Sequence, residues 1–474
     1  MDDRSRSMQY FREHRKEILT DLDSLVRIPS VARAGSGEPG MPYGREARMV
    51  LAEAEKIAGR LGFFTVIHDD ACLTAEPAAG RDAKLCLLAH LDVVEAGEGW
   101  TKLPYELTEE NGKVFGRGTA DNKGPAVMLL HAMKAAMEIC PDLPYSPRIW
   151  LGTAEEIGSP DLKIYQKKTK LPPLCLTPDS LEPVVIGECA KHRPEFYARW
   201  KQNSTVPSVS ALEGGRVRNA VPGFARARVD GIDQKIAEDA AAQAQRQYGA
   251  GFTVEKTADG EGVDIRTVGR GAHIGWPEKG INAQTALIGM LARLPLADCP
   301  QTRAVQALDR LFPHGDLTGR RLGLDLHDDT GRGSSVNFTV CHMTETEIRC
   351  KLDARGPLNA APANFQKIID NALEAAGFQV VPSEMEPAHY THETVPLVQT
   401  VKKVYEQYLG CPVTCRTSLG ASYAYYIAGA VSTGPAFPGT DTRLHRTDEF
   451  MYISDLMRLG EIYTELILKL CDRD

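Results

Sequence analysis

The sequence predicts an α/β domain with a largely parallel central sheet, interrupted by an inserted α+β domain. In the first part of the chain, short apolar runs alternate with segments of helical periodicity, as in strands buried on both faces between helices. After about residue 192 the runs alternate polar and apolar residues instead, which is typical of half-exposed strands. Strong helical periodicity returns from about Pro387 onward, so the first domain resumes where the insertion ends.

Each element of the first part follows from its residue spacing. The runs "FFTVIH", "AKLCLLAH" and "PRIWLGT" are short, apolar and end in polar residues, and "LPPLCLTPD" is a weaker run of the same kind, so all four predict strands. Apolar side chains recur at helical intervals in residues 8–27, 45–61 and 124–139, and a further helix is predicted at 160–168. The alternation of these strands and helices predicts the parallel sheet.

The inserted part and the end of the chain follow a different pattern. In the insertion, "PEFYARW", "ARARVDGI", "SSVNFTV" and "EIRCKLDAR" predict half-exposed strands, and helices are predicted at 282–293 and 362–376. After it, "PLVQTVKKVYEQYLG" and "ISDLMRLGEIYTELILKL" predict long helices. The predicted boundaries are 1–192 for the first part of the α/β domain, 193–386 for the insertion and 387–474 for the second part.

Length, charge and cysteine usage narrow the class of protein. At 474 residues the chain is too long for one ordinary core, which favours two domains. A net charge of −8 argues against a nucleic-acid or membrane-surface partner, because either would need a basic face. The N-terminal "MDDRSRSMQYFREHRKEI" lacks the apolar stretch of a secretory signal, and the 11 cysteines form no CxxC, so a cytoplasmic localisation is expected.

Polar residues with metal-binding side chains follow the predicted strands. His90 and Asp92 come after "KLCLLA", Glu155 and Glu156 end "RIWLGTAEE", and Asp179 follows "PLCLTP". In open α/β sheets, ligands bind beyond the carboxyl ends of the strands, so these side chains are expected to share one site. In His-x-Asp the two side chains lie on one face of the strand, where the carboxylate can hold an imidazole N–H. Of the two adjacent glutamates, one can bind a cation while the other accepts a proton.

Asp121 and His445 complete this set from outside the strands. Asp121 follows the Gly-Arg-Gly turn of "GRGTADNKG", and His445 is the last histidine of the chain, shortly before the final helix. Two histidines and several carboxylates suit a pair of divalent ions such as Zn²⁺. Two cations ~4 Å apart need a shared anionic ligand, and the two oxygens of the Asp121 carboxylate suit that role.

Each of these residues also has an ordinary structural interpretation. A histidine at a strand end is more often hydrogen-bonded than metal-bound, and adjacent glutamates usually lie on a solvated surface. Asp121 by itself fits a helix cap. The occurrence of all of them together, in order and after apolar strands, favours the metal site.

Four motifs resemble those of the co-catalytic zinc metallopeptidases, the group of the carboxypeptidase G enzymes, acetylornithine deacetylase, aminoacylase and the Xaa-His dipeptidases. The motifs are "LLAHLDVVEAGEGW", "GRGTADNKGPAVMLLHAMKA", "LGTAEEIGSPDL" and "FPGTDTRLHRTDEF". The resemblance runs nearly end to end and is strongest for the bacterial Xaa-His dipeptidases, the carnosinase-like branch. It implies an α/β catalytic domain with a largely parallel central sheet and an inserted α+β lid domain.

The resemblance implies a site for two zinc ions, with manganese or cobalt as alternatives. Asp121 is then the bridging ligand between the two ions. His90 and Asp179 hold one ion, and Glu156 and His445 hold the other.

The resemblance also implies the residues that act on the substrate. Glu155 is then the general base, and Asp92 orients the neighbouring histidine ligand. In the lid, "GRGAHIGWPEKGINAQTAL" implies that His273 stabilises the oxyanion of the tetrahedral intermediate, and "EGGRVRNAVP" implies that Asn219 contacts the substrate. The family also has a cis peptide bond after the bridging aspartate, here Asp121–Asn122.

The chain departs from the dipeptidase pattern at the position of a carboxylate-binding arginine. Dipeptidases of this branch read G-G-T-Y-A-R there, whereas this chain reads "GASYAY" and has Tyr425 in the place of the arginine. The stretch "DTRLH" is one residue longer than the usual D-T-x-H, and "GECAKH" replaces G-E-K-G. Arg443, which lies in "DTRLH", is the predicted substitute cation, with Arg416 and Lys191 as weaker candidates.

The resemblance therefore implies a dizinc hydrolase of a peptide or amide bond in a small substrate, with a dipeptidase as the first expectation. An N-acyl-amino-acid deacylase or a carboxypeptidase of the same family is the alternative. A non-catalytic metal-binding relative would have lost a ligand or the base, and all are present here. A nucleotide-phosphate enzyme would need a phosphate-binding glycine loop, whose spacing "GRGTADNKG" lacks. The long lid favours a monomer over a homodimer, and the expected partner is a small peptide or N-acyl amino acid.

Overall fold

The computed structural model describes residues 2–33, 35, 38–329, 331–434, 437 and 439–472. The chain divides into two compact units, one of Met1–Glu188 with His389–Asp474 and one of Cys189–Ala388. Among the described residues, no helix combines the length and the apolar character that a membrane span requires.

The helices and strands have the following bounds. The helices are α1 (Asp3–Glu13), α2 (Arg15–Val26), α3 (Arg45–Arg60), α4 (Lys123–Ile139), α5 (Pro160–Lys168), α6 (Gln234–Tyr248), α7 (Ala283–Leu291), α8 (Pro300–Leu311), α9 (Lys367–Ala375), α10 (Pro396–Leu409) and α11 (Ile453–Leu470). The strands are β1 (Phe64–His68), β2 (Cys72–Glu76), β3 (Ala83–His90), β4 (Thr108–Glu110), β5 (Lys113–Phe115), β6 (Ser146–Gly152), β7 (Leu174–Thr177), β8 (Val185–Glu188), β9 (Ala190–His192), β10 (Glu195–Arg199), β11 (Ser208–Gly214), β12 (Ala220–Val221), β13 (Phe224–Asp230), β14 (Gly251–Lys256), β15 (Gly262–Val268), β16 (Ala272–His273), β17 (Ser335–Met343), β18 (Glu347–Gly356), β19 (Gln379–Val380), β20 (His389–Tyr390), β21 (Arg416–Ser418), β22 (Val431–Ser432) and β23 (Phe450–Tyr452).

The first unit is built on a sheet whose centre is parallel. Its strands are ordered β1-β2-β6-β3-β7-β22-β8-β20, and β21 pairs with β8. Strand β3 runs parallel to β6 and to β7, and β22 runs parallel to β7. The outer strands β1, β2 and β20 pair antiparallel with their neighbours. The α/β fold class predicted from the sequence is therefore confirmed.

Helices cover this sheet because each of them buries an apolar face. Strand β3 is buried along most of its length, so both of its faces are apolar. Helix α4 is buried over nearly its whole first half and packs against α11. In α11 the buried Leu456, Leu459 and Tyr463 recur at the spacing of one helix face.

The second unit is an antiparallel sheet with helices packed on it. The strand order is β14-β15-β13-β11-β17-β18-β10-β19, and β9 pairs with β18. In β13 the buried residues Ala225, Ala227 and Val229 alternate with more exposed ones, as the sequence pattern predicts. These buried residues of β13 pack against α7, whose nine residues are all buried.

Several segments differ from the elements that residue spacing predicts, and α8 (Pro300–Leu311) is one that is absent from the predictions. The periodic stretch 8–27 is two helices, which meet at His14, where the backbone leaves the helical conformation with φ −94° and ψ 7°. Helix α6 is absent from the predictions because its buried residues are alanines, which are too small to mark a helical face. Its ends carry the usual caps, Asp233 before the helix and Gly249 after it.

Candidate metal centre

Three parallel strands end side by side at one edge of the first unit's sheet. Strand β3 lies between β6 and β7, and the three strands end at His90, Gly152 and Thr177. Because the strands are parallel, the segments that follow them leave the sheet at the same edge. These segments carry the Glu155–Glu156 pair and Asp179 to the side of His90.

Asp121 lies between two imidazoles at this edge. Its Oδ1 is 2.9 Å from Nε2 of His90, and its Oδ2 is 2.9 Å from Nε2 of His445. Nε2 of His445 is also 3.0 Å from Oε1 of Glu156, and Nε2 of His90 is 3.9 Å from Oδ2 of Asp179. The peptide bond that follows Asp121 is cis, as the resemblance implies. Each oxygen of one carboxylate thus faces a different histidine.

Two overlapping groups of side chains have the spacing of a metal site. His90, Asp121 and Glu156 each offer a ligand atom within 4.8 Å of the others, and so do His90, Glu155 and Asp179. Imidazole nitrogens and carboxylate oxygens are the donors that Zn²⁺ and similar divalent ions bind. The donor set therefore fits divalent cations.

The electrostatics of the cluster also favour a cation. Burial and the charge of Asp179 raise the pKa of Glu155 well above its usual value, and burial raises the pKa of Asp179 to about 8. Despite burial, hydrogen bonds with His445 and His90 hold the pKa of Asp121 far below its usual range. Despite burial, the surrounding carboxylates raise the pKa of both histidines. Glu155 and Asp179 thus have too little positive charge beside them to offset their burial, and a divalent cation would supply it.

Asp92 contacts the site in a way that the sequence does not reveal. Nδ1 of His90 lies 2.9 Å from the backbone carbonyl oxygen of Asp92 and 3.4 Å from its carboxylate. The Asp92 carboxylate instead accepts the backbone N–H groups of Glu155 at 3.1 Å and Glu156 at 3.0 Å. With two acceptors beside it, Nδ1 carries the proton, so Nε2 is left as a donor atom for a metal.

A buried ion pair holds the backbone of Asp121, and sequence reasoning did not single it out. The Glu449 carboxylate accepts the N–H groups of Gly118 at 3.1 Å, Ala120 at 2.9 Å and Asp121 at 3.1 Å. Nη1 of Arg117 donates to the same carboxylate at 2.7 Å, and both side chains are buried. Since Glu449 follows the His445 segment, this carboxylate connects two segments of the cluster.

The two lid residues implied by the resemblance are neighbours within the second unit. Strand β12 pairs with β16, so that Ala220 lies opposite His273, and the carbonyl oxygen of Asn219 accepts the N–H of Ile274 at 3.1 Å. The ring of His273 lies 5.7 Å from that of Trp276. The side chain of Asn282, which precedes α7, accepts two backbone N–H groups and caps that helix.

The residues proposed to bind substrate in the first unit lie on two separate turns. Tyr425 is half-buried, and its ring lies 4.9 Å edge-on from that of Tyr426, over which the ammonium of Lys163 lies at 4.3 Å. Nη1 of Arg443 lies 3.4 Å from a carboxylate oxygen of Asp448, and 43% of the Arg443 side chain is exposed.

Comparison of the sequence with known proteins places these features in a family. The sequence model described as Peptidase family M20/M25/M40 matches residues 86–469. The chain is 28% identical over 469 residues to the Beta-Ala-Xaa dipeptidase of Lactobacillus delbrueckii subsp. lactis, and the match covers 96% of each chain.

Comparison of the fold finds solved structures that match over nearly the whole chain. Human carnosine dipeptidase 1 is similar with a TM-score of 0.60 and 15% identity, over 99% of both chains. The aminoacylhistidine dipeptidase of Vibrio alginolyticus is similar with a TM-score of 0.53 and 14% identity, over 95% of this chain and 96% of that one. These similarities concern the fold: an α/β domain with a second, inserted domain.

Proposed function

The chain belongs to peptidase family M20/M25/M40, and from that premise we propose that it is a dipeptidase that uses two zinc ions. Family membership makes it a metal-dependent peptidase. The finer proposal draws support from the similarity to a Beta-Ala-Xaa dipeptidase over 96% of the chain. The single observation that carries the two-ion proposal is the Asp121 carboxylate, whose oxygens face His90 and His445 separately.

In this proposal Asp121 is shared between two ions. His90 and Asp179 would hold one of them, and Glu156 and His445 would hold the other. When bound, the pair of cations would polarise the substrate carbonyl and lower the pKa of a water molecule. Two contacts within the chain orient the proposed ligands. The Asp92 carbonyl fixes the His90 tautomer, and Glu449 fixes the backbone of Asp121.

Glu155 is proposed to move the proton during hydrolysis. It is the acid of the adjacent pair that is not assigned to either ion, so its carboxylate is free to accept a proton from the attacking water. The same group then passes that proton to the leaving amine, which completes cleavage of the amide bond. The adjacent Glu156 has a different role as a metal ligand, since its carboxylate lies 3.0 Å from Nε2 of His445.

The two adjacent glutamates provide a matched pair of variants. We expect Glu155→Gln to lower kcat by roughly 10²-fold or more while two metal ions stay bound, because only the proton acceptor is lost. We expect Glu156→Gln to lose metal, because it removes a ligand. Elemental analysis of both purified proteins and a peptidase assay distinguish the two roles.

Two outcomes would contradict these assignments. Near-normal activity of Glu155→Gln would exclude it as the general base, and loss of one metal in that variant would make it a ligand. A panel of dipeptides, N-acyl amino acids and longer peptides, assayed after chelation and after addition of Zn²⁺, Mn²⁺ or Co²⁺, tests the substrate and the metal. Preference for N-acyl amino acids would replace the dipeptidase proposal with a deacylase.

A further inference from the structure

Asp161 holds the backbone just before the acidic pair. Its Oδ2 accepts the N–H groups of Thr153 at 2.8 Å and Ala154 at 2.9 Å, and its Oδ1 accepts that of Leu162 at 2.8 Å. The side chain is fully buried. Asp161 therefore fixes the strand end that continues directly into Glu155.

The phenol of Tyr423 donates to the same carboxylate. Its Oη lies 2.7 Å from Oδ2 of Asp161, and the residue has no solvent exposure. The Tyr423 ring packs edge-on against Trp150, with centroids 4.8 Å apart. Burial raises the pKa of Tyr423 well above its usual value, so the hydroxyl keeps its proton and remains a donor.

The glycine before the turn leaves room for this hydrogen bond. A Cβ atom on Gly152 would lie 2.0 Å from Oη of Tyr423 and 2.4 Å from Oδ2 of Asp161. Both neighbours are fixed by packing and hydrogen bonds, so neither could move aside. Any larger residue at position 152 would separate the phenol from the carboxylate.

The other end of Tyr423 is anchored in a separate turn. Ser422 donates its backbone N–H and its hydroxyl to the buried carboxylate of Glu188, at 3.0 Å and 2.6 Å. The Ser422 hydroxyl also accepts the N–H of Ala424 and caps the short helical turn Tyr423–Tyr426. That turn carries Tyr425, which stands where the resemblance places the substrate-binding arginine. One phenol thus joins this turn to the turn of the acidic pair.

We infer that Tyr423 is a positioning residue, which acts through Asp161 to fix the Glu155–Glu156 turn relative to the turn of Tyr425. This inference rests on the proposed function, because it concerns the placement of the proposed base and a proposed ligand. Hydrogen bonds to a charged acceptor are among the stronger ones, and small displacements of a reacting group are costly in rate. Loss of the hydroxyl leaves the core packing of the ring intact and removes only the link.

The test compares Tyr423→Phe with Tyr165→Phe. Tyr165 is a suitable control because it is also buried and packs edge-on against Trp150, with ring centroids 5.8 Å apart. Its hydroxyl oxygen lies 3.4 Å from Nη1 of Arg148 and is not the donor to Asp161. In Tyr423→Phe, we expect the amides of residues 151–158 to exchange hydrogen roughly tenfold faster or more. We expect kcat to fall by about tenfold or more, with KM changed by less than about threefold. Tyr165→Phe should behave as wild type in both measurements.

Metal content and a double mutant separate positioning from general damage. Elemental analysis should show wild-type metal content in Tyr423→Phe, and the absorption spectrum of the Co²⁺-loaded variant should shift, whereas that of Tyr165→Phe should not. In an Asp161→Asn background, adding Tyr423→Phe should change kcat and exchange little further, because the acceptor is already altered.

Wild-type exchange and kcat in Tyr423→Phe would overturn the inference, and so would equal losses in both phenylalanine variants. If the wild-type protein hydrolyses no peptide or amide, the proposed function fails, whereas the exchange comparison still decides whether Tyr423 holds the turn.

Discussion

The resemblance to the Xaa-His dipeptidases places Tyr425 where those enzymes have an arginine that holds the carboxylate of a dipeptide. Tyrosine cannot form the bidentate, charge-assisted pair that arginine forms with a carboxylate. The nearest substitute in the sequence, Arg443, already lies 3.4 Å from the carboxylate of Asp448. We therefore expect β-Ala-His to be a poor substrate, and a bulkier or aromatic group to pack on Tyr425 and Tyr426.

This expectation is tested with β-Ala-His and its C-terminally amidated form. The value of kcat/KM for the two should differ little in wild type, and any preference for the free acid should disappear in Arg443→Ala. A strong preference for the free acid that survives in Arg443→Ala would show that another group holds the carboxylate.

The residues that sequence reasoning singles out are those whose type carries chemistry. Histidines and acidic residues at strand ends are visible in the sequence, and His90, Asp121 and Glu156 do come within one cluster. Asp161 and Glu449 were not singled out, because they hold backbone N–H groups of other segments. An acceptor for a backbone N–H can come from any part of the chain, so only the folded structure identifies it. His273 and Asn219 stay predictions of the resemblance.

At the scale of the elements, helix α4 is tied to the N-terminal helices by a buried histidine. Nε2 of His131 lies 2.9 Å from the carboxylate of Asp21, and Nδ1 lies 3.0 Å from the hydroxyl of Tyr10. A neutral imidazole satisfies both, with N–H donated to Asp21 and the phenol donated to Nδ1. Burial lowers the pKa of His131, although Asp21 opposes this and the charge of Arg60 adds to it.

His131 makes the free energy of unfolding decrease as the pH falls. Because the folded pKa is below the unfolded value of about 6.5, the unfolded chain binds a proton first as the pH falls. The free energy of unfolding should therefore fall as the pH drops below about 6.5, until the folded pKa is reached. In His131→Gln we expect a loss of roughly 1–3 kcal/mol at pH 7.5 and a shallower decline at lower pH.

Urea unfolding at several pH values, in chelator, measures this effect without a contribution from metal binding. The exposed His327, whose side chain is 61% accessible, provides a control variant that should leave the slope unchanged. A decline that is equally steep in His131→Gln and wild type would show that other groups set the pH dependence.

Residue spacing predicts some elements of the first unit with accurate bounds. Strand β3 begins and ends at the residues of "AKLCLLAH", and α5 has its predicted bounds. The break at His14 is a local change of backbone angles within one apolar pattern, which periodicity does not register. The alanine face of α6 is buried but carries little hydrophobic signal.

At the scale of the whole molecule, the chain leaves the first unit and returns to it at residues that are paired with each other. On the side of the first unit, Glu188 is the antiparallel partner of His389, and Gly187 that of Tyr390. On the side of the second unit, Lys191 and Glu386 exchange both backbone hydrogen bonds, at 2.9 Å and 2.8 Å. The insertion therefore enters and leaves each unit through a paired two-stranded segment.

This arrangement predicts that the first unit folds without the insertion. Directly opposite residues of an antiparallel pair are about 5 Å apart, which an Asn-Gly turn spans. Replacing residues 189–388 by Asn-Gly should give a folded chain, because the apolar core of the first unit is formed by residues of both its segments. All of the proposed metal ligands lie in this unit, so the shortened chain should bind as many divalent ions as the full chain.

Circular dichroism and elemental analysis after metal loading test this prediction. A second version with a longer Gly/Ser linker controls for strain in the turn. In the shortened chain, His90→Ala should prevent binding of the ion that His90 is proposed to hold. A shortened chain that is folded but binds no metal would show that the second unit supplies a ligand. A chain that does not fold with either linker would show that the core of the first unit depends on the insertion.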